Sequence, residues 1–269
     1  MSADNTFLYG AHQRANGIRQ HYLRFGGSGM PLVLVPGITS PAAMWGFVAR
    51  RLGRHYDTYV MDVRGRGLSE SGAHLDYGLD ACAADVAGFA AAMKFDRFVL
   101  MGHSMGARII LRAARHAAMP LEHLVLLDPP VSGPGRRPYP MPLQPYLDLL
   151  RHAEQGNAYD VLQGKTSWPE ELVRLRAEWV HTCDERAIVE THRSFHEDDV
   201  HADLPHIRCP TALMVASRGD VIRSEDETEI QRLLPGIAIA RVPDAGHMIP
   251  FENYDGFFTA LGDLLKKAI

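Results

Sequence analysis

Ser104 stands in Gly102-His103-Ser104-Met105-Gly106, directly after the apolar run Phe98-Val99-Leu100-Met101 and at the head of a helical stretch reaching Ala118. Glycines two residues before and two after a serine let a strand turn sharply into a helix and hold the serine exposed on a strained elbow. A serine hydroxyl is by itself a weak nucleophile and needs a base to take its proton. His247 closes Pro243-Asp244-Ala245-Gly246-His247, after the last candidate strand, Ile237 to Val242, and before a terminal helix. That position brings an imidazole to the same sheet edge as the serine, where this residue type can accept and return a proton near neutral pH. The imidazole needs an acid to orient it. Two carboxylates qualify: Asp128, after Leu124 to Leu127, and Asp220, after Ala212 to Ala216 and Ser217-Arg218-Gly219. Both keep the order serine, acid, histidine, and placement after the penultimate core strand favours Asp220. The other carboxylate then reads as a loop residue capping backbone N–H groups.

These groups need a scaffold that brings distant segments to one edge. Phe7 to Gln13 and Ile18 to Phe25 read as strands joined around Asn16-Gly17, a dipeptide suited to a tight hairpin. Pro31-Leu32-Val33-Leu34-Val35 is a short apolar run of the kind a strand covered on both faces requires. Similar runs recur at Thr58 to Met61, Phe98 to Met101, Leu124 to Leu127 and Ala212 to Val215. Helical candidates lie between and after them, at about Trp45 to Leu52, Asp80 to Met93, Ser104 to Ala118, Glu225 to Leu234 and Tyr254 to Lys267. The alternation predicts an α/β fold: a doubly wound, mostly parallel sheet with helices on both faces.

From Pro129 to about Pro210 that rhythm stops. Tyr146 to Gln155, Pro169 to Thr182 and Asp184 to Phe195 read as helices, after a stretch of prolines and glycines from Pro129 to Gly135 that resists regular structure. The pattern predicts a core of residues 1–129 and 206–269, with a helical cap at 130–205 inserted between two core strands. Such a cap can pack on the sheet edge and roof a pocket without a core of its own.

The 269 residues, 46% hydrophobic and 22% charged, suit a globular chain large enough to bury a substantial core. Basic and acidic residues, 28 and 32, are mixed along the chain, and no basic tract or stacking motif points to nucleic acid. The opening Met1 to Thr6 has neither the charge nor the apolar run of a signal peptide, and no 18-residue apolar stretch predicts a membrane span. Cys82, Cys183 and Cys209 lack metal-site spacing and fit incidental thiols in a reducing cytoplasm. Nothing in the residue pattern decides an oligomeric state.

Nearly the whole chain resembles the α/β-hydrolase superfamily. Besides the elbow, Asp62-Val63-Arg64-Gly65-Arg66-Gly67-Leu68-Ser69 matches that superfamily's Asp-x-Arg-Gly-x-Gly-x-Ser pattern, in which Asp62 and Arg64 would organise loops near the site. Val35-Pro36-Gly37-Ile38-Thr39-Ser40 follows the first parallel strand, in the position of its oxyanion loop. The resemblance implies an oxyanion hole made by the backbone N–H groups of Ile38 and Met105. Ser40 in the same loop offers either a polar contact to substrate or a hydroxyl that stabilises the turn.

Longer segments resemble the N-formylmaleamate deformylase family of aerobic nicotinate degradation: Val35 to Pro41, Asp128 to Arg137, and Arg176 to Cys183. That likeness implies the triad Ser104, Asp128 and His247, against the topological preference for Asp220. It further implies a small anionic amide as substrate, cleaved at its formyl C–N bond through a serine ester, with no metal or organic cofactor. The substrate carboxylate calls for a cation or several hydrogen bonds. Arg108, Arg136, Arg137 and His181 are candidates, with Trp179 as a pocket wall. A related carboxylester, lactone or carbon–carbon bond hydrolase would share the triad and differ in the cap.

Overall fold

The computed structural model describes residues 6–267 and 269. The reading of Met1 to Asn5 therefore lies outside the described residues. Strands β1 (Phe7–Ala15) and β2 (Ile18–Phe25) form an antiparallel hairpin. Asn16 and Gly17 turn it with φ of 49° and 76°, the paired positive angles of a two-residue turn whose twist matches the strands.

After the hairpin come β3 (Pro31–Val35), α1 (Gly46–Leu52), β4 (Asp57–Met61), α2 (Leu79–Ala92), β5 (Phe98–His103), α3 (Met105–His116) and β6 (Leu121–Leu127). Four helices follow without an intervening strand among the described residues: α4 (Gln144–Glu154), α5 (Ala158–Leu162), α6 (Glu170–Trp179) and α7 (Glu185–Glu197). The chain then returns through β7 (Thr211–Ala216), α8 (Ser224–Leu233), β8 (Ala238–Val242), α9 (Ile249–Glu252) and α10 (Tyr254–Leu265). No helix among the described residues is long and apolar enough to cross a membrane.

The eight strands run in the order β1-β2-β4-β3-β5-β6-β7-β8, parallel from β4 onward and antiparallel at the β1 edge. Side chains alternate along a strand, so a strand buried on both faces must be apolar at every position. In β3, Val33 and Val35 pack with residues of α2 and α3, such as Phe89 and Ile110. Leu32 and Leu34 pack on the other face with Val48 of α1 and Phe257 of α10.

From β3 the chain moves to β4 on one side, and β5 pairs with β3 on the other. The loops leaving the carboxyl ends of β3 and β5 therefore diverge, opening the crevice where α/β sheets bind ligands. The inserted helices close over it. Leu147, Leu150, Ile188 and Phe195 join the apolar cluster on the α2–α3 face, and Leu172 joins the other. Among the described residues, one small cluster, Leu149 of α4, Ala158 of α5 and Val180 directly after α6, lies wholly within this inserted segment.

Candidate active site

Ser104 sits between β5 and α3 with φ 55° and ψ −117°, a conformation that costs a residue bearing Cβ. Ser104 N–H donates to Leu127 O at 2.9 Å, which ties the elbow to β6. The flanking glycines are steric necessities. A Cβ on Gly102 would lie 2.4 Å from Gly106 O, and one on Gly106 only 1.9 Å from Val35 O. Backbone therefore passes against backbone on both sides of the serine.

Ser104 Oγ lies 2.9 Å from His247 Nε2, and His247 Nδ1 lies 2.7 Å from Asp128 Oδ2. With Asp128 accepting from Nδ1–H, Nε2 carries the lone pair that faces the serine hydroxyl. Asp128 is wholly buried, and its Oδ1 accepts from Ala216 N–H at 3.2 Å. Its φ of 46° turns the side chain across the end of β7 toward His247. Asp220, favoured by topology, is exposed and engaged by Arg223 at 2.6 and 2.8 Å. The order of strands admits either acid; the turn at the end of each strand separates them.

Several hydrogen bonds hold the histidine loop, two of them beside the ring itself. His103 Nε2–H donates to His247 O at 2.9 Å, and Glu252 Oε2 accepts from Gly246 N–H at 2.9 Å. Burial, followed by the neighbouring His247, lowers the His103 pKa to about 3, so this ring is neutral. Tyr139, from the loop before α4, packs edge-on to His247 at 6.4 Å between ring centroids.

The loop after β3 folds as a turn closed by Ser40 N–H to Gly37 O at 3.2 Å. Gly37 is pressed so near the nucleophile that a Cβ there would come within 3.4 Å of Ser104 Cβ. Asp62 accepts from Ala42 N–H at 2.6 Å and from Leu68 N–H at 3.0 Å, bracing the loop. Arg64 forks onto Asp85 through two 2.6 Å bonds, and buried Arg66 donates to Ile38 O at 3.2 Å and to Thr191 Oγ1 of α7 at 2.7 Å. The Gly37–Ile38 peptide, which carries the Ile38 N–H, is held through Gly37 O by the Ser40 N–H, and the next peptide through Ile38 O by Arg66. Met105 N–H belongs to the first turn of α3, which intrahelical bonding does not use.

A cavity of about 300 Å³ opens over Ser104 and His247. Ile38, Thr39 and Ser40 form one wall, and Pro145, Leu149, Leu162 and Trp168 give an apolar roof. Its one guanidinium is Arg176 of α6, which donates to Thr39 O at 3.2 Å and Thr39 Oγ1 at 3.0 Å. Sequence reading did not single out Arg176, although Leu172 and Val173, the buried positions of α6, lie one turn before it and share its stripe. A cation continuing a buried stripe was the available signal.

Of the side chains expected to meet substrate, Ser40 lines this cavity and the others lie elsewhere. Arg108 is buried and donates to four carbonyls, Pro130 O, Ser132 O, Ser194 O and Asp198 O, at 2.9–3.0 Å. It fastens α3 to the cap instead of facing ligand. Arg136 forks onto Glu229 at 2.7 and 2.8 Å, and Arg137 binds Asp226, Val221 O and Asp220 O. Trp179 lines a separate groove with Leu175, Phe7 and Leu68, and His181 is exposed in the turn after α6. Among the described residues no group of three or more His, Cys, Asp or Glu side chains is placed to hold a metal ion.

An activated serine at a β-to-α elbow, with its histidine and buried acid on a doubly wound sheet, is the arrangement of serine hydrolases built on this fold. The chain matches the Alpha/beta hydrolase family over residues 32–260 and belongs to it. It is 57% identical to an N-formylmaleamate deformylase of Pseudomonas putida over 98% of this chain and 99% of the relative. A crystal structure of the N-formylmaleamic acid deformylase of Pseudomonas putida S16, in a serine-to-alanine variant, superimposes with a TM-score of 0.90. It shares 48% identity, covering 94% of this chain and all of that one. A 2-(acetamidomethylene)succinate hydrolase of Mesorhizobium japonicum is 26% identical over 83% of each chain.

Proposed function

We propose that this protein hydrolyses N-formylmaleamate to formate and maleamate. The carrying observation is the hydrogen-bonded series Ser104–His247–Asp128 beneath a small, mostly apolar cavity, in a chain 57% identical over nearly its full length to a deformylase of that substrate.

His247 Nε2 takes the Ser104 proton as Oγ attacks the formyl carbon, and Asp128 steadies the imidazolium that forms. The N–H groups of Ile38 and Met105 receive the developing oxyanion. Collapse breaks the formyl C–N bond. The leaving nitrogen is imide-like, its charge partly delocalised into the second carbonyl, and the proton held by His247 completes release of maleamate. A formyl ester remains on Ser104. Water that gives its proton to His247 then attacks the ester, and return of that proton to Oγ frees formate. Each step uses this chain's own groups and water.

The test is incubation of purified protein with N-formylmaleamate beside a small ester, a lactone and a diketone. Equimolar formate and maleamate are expected. Turnover of another panel member with no formate from N-formylmaleamate rejects the substrate assignment.

A further inference from the structure

We propose that Arg176 is the carboxylate anchor of the cavity and restricts it to substrates carrying an anionic group remote from the scissile bond. This deepens the proposed function and rests on it for the identity of the substrate, though not for the chemistry of the anchor.

A guanidinium taken out of water is costly unless paired or fully hydrogen-bonded. Most arginines turned inward here are so provided: Arg64 with Asp85, Arg112 with Asp203, and Arg108 with four carbonyls. Arg176 differs. No ion pair is formed by it among the described residues, and the groups that favour its charge are the Cys183 thiol and the Tyr146 hydroxyl. Burial pushes its pKa below the ordinary arginine range, yet guanidinium remains cationic at neutral pH. Glu252 is the cavity's acidic side chain, and it is committed to Gly246 N–H and to Arg218 at 3.5 Å.

The cation is also aimed. Thr39 holds it through carbonyl and hydroxyl, Met44 Sδ lies at 4.0 Å, and the Trp168 ring centroid lies 5.9 Å from the guanidinium carbon. These bonds take three of five N–H groups and leave the rest for a carboxylate, the partner whose geometry matches the fork. Thr39 directly follows Ile38, so one loop fixes both the anion at one end of the substrate and the backbone donor at the other. An anion held there sets the distance from carboxylate to formyl carbon.

The experiment compares formate release from N-formylmaleamate and from its neutral methyl ester by wild type, Arg176→Gln and Arg176→Lys. Wild type is expected to prefer the carboxylate. Arg176→Gln should cut that preference by on the order of 30-fold or more, the usual consequence of removing one member of a desolvated charge pair. Arg176→Lys keeps the charge without the fork and should fall between them; it carries the comparison if the glutamine variant does not fold. An unchanged preference in both variants overturns the proposal. A second arm needs no turnover: maleate should raise the melting temperature of wild type and not of Arg176→Gln. Equal maleate shifts in both proteins, or none in wild type, also overturn the anchor. Failure of wild type to release formate from N-formylmaleamate, with the maleate shift intact, rejects the deformylase reading alone.

Discussion

His247 Nδ1 and Asp128 Oδ2 meet at 2.7 Å across 119 residues of chain, while Asp220 faces solvent on Arg223. Asp128→Asn is therefore expected to lower kcat for formate release by on the order of 10⁴-fold, since an amide no longer enforces the Nδ1–H tautomer. Asp220→Asn removes an exposed ion pair and should change the rate by no more than about twofold. Both proteins should keep their circular dichroism spectra. A larger loss in Asp220→Asn would mean that the acid had been misassigned.

The sheet was legible because both-face burial demands unbroken apolar runs, and the elbow because its two glycines have a steric cause. What escaped was set by where turns point side chains. Asp128 and Asp220 both follow core strands, and only the positive φ at Asp128 sends one inward. Arg136 and Arg137 qualify by sequence as ligands of the substrate carboxylate, since nothing local to them reveals Glu229 and Asp226 of α8, which they pair with instead. Helices α5 and α9, at five and four residues, are too short to display a period.

Gly106 offers a sharp test of the elbow. A methyl there would sit 1.9 Å from Val35 O and 2.6 Å from Pro36 O, both backbone atoms at the foot of the loop after β3. Gly106→Ala should cost about 3 kcal/mol or more, or leave no soluble protein. Gly135→Ala is the control: its φ is +72° with nothing within 4 Å of the added carbon, so only the left-handed penalty of about 1–2 kcal/mol applies. Urea midpoints compare them, and a Gly106→Ala protein as stable as the control would contradict the packing described.

Arg108 should behave as a strap, with stability and not substrate affinity as its readout. Its four carbonyl acceptors come from the loop after β6 and from the end of α7, and burial lowers its pKa to about 10. Arg108→Met leaves those acceptors unpaired and is expected to destabilise the fold by about 3 kcal/mol or more in urea titration. KM for N-formylmaleamate in the folded protein should stay near the wild-type value. A raised KM at unchanged stability would restore Arg108 as a ligand.

Two buried histidines make the fold sensitive to acid. Burial is the largest cause in each case: it lowers His103 to about 3 and His201 to about 4, against 6.5 for the free side chain. Neither ring nitrogen of His201 has a hydrogen-bond partner, and His103 lacks one at Nδ1. As pH falls below about 6.5 the unfolded chain binds protons that the folded chain refuses, so stability present above that pH is withdrawn as pH falls toward 4 and then 3. Each histidine adds on the order of 1 kcal/mol per pH unit to the slope within its window. His201→Phe removes one titration and should flatten the dependence of unfolding free energy on pH between 6.5 and 4 by about that amount, measured by denaturant titration at several pH values. A slope equal to wild type would show that His201 charges within the folded protein.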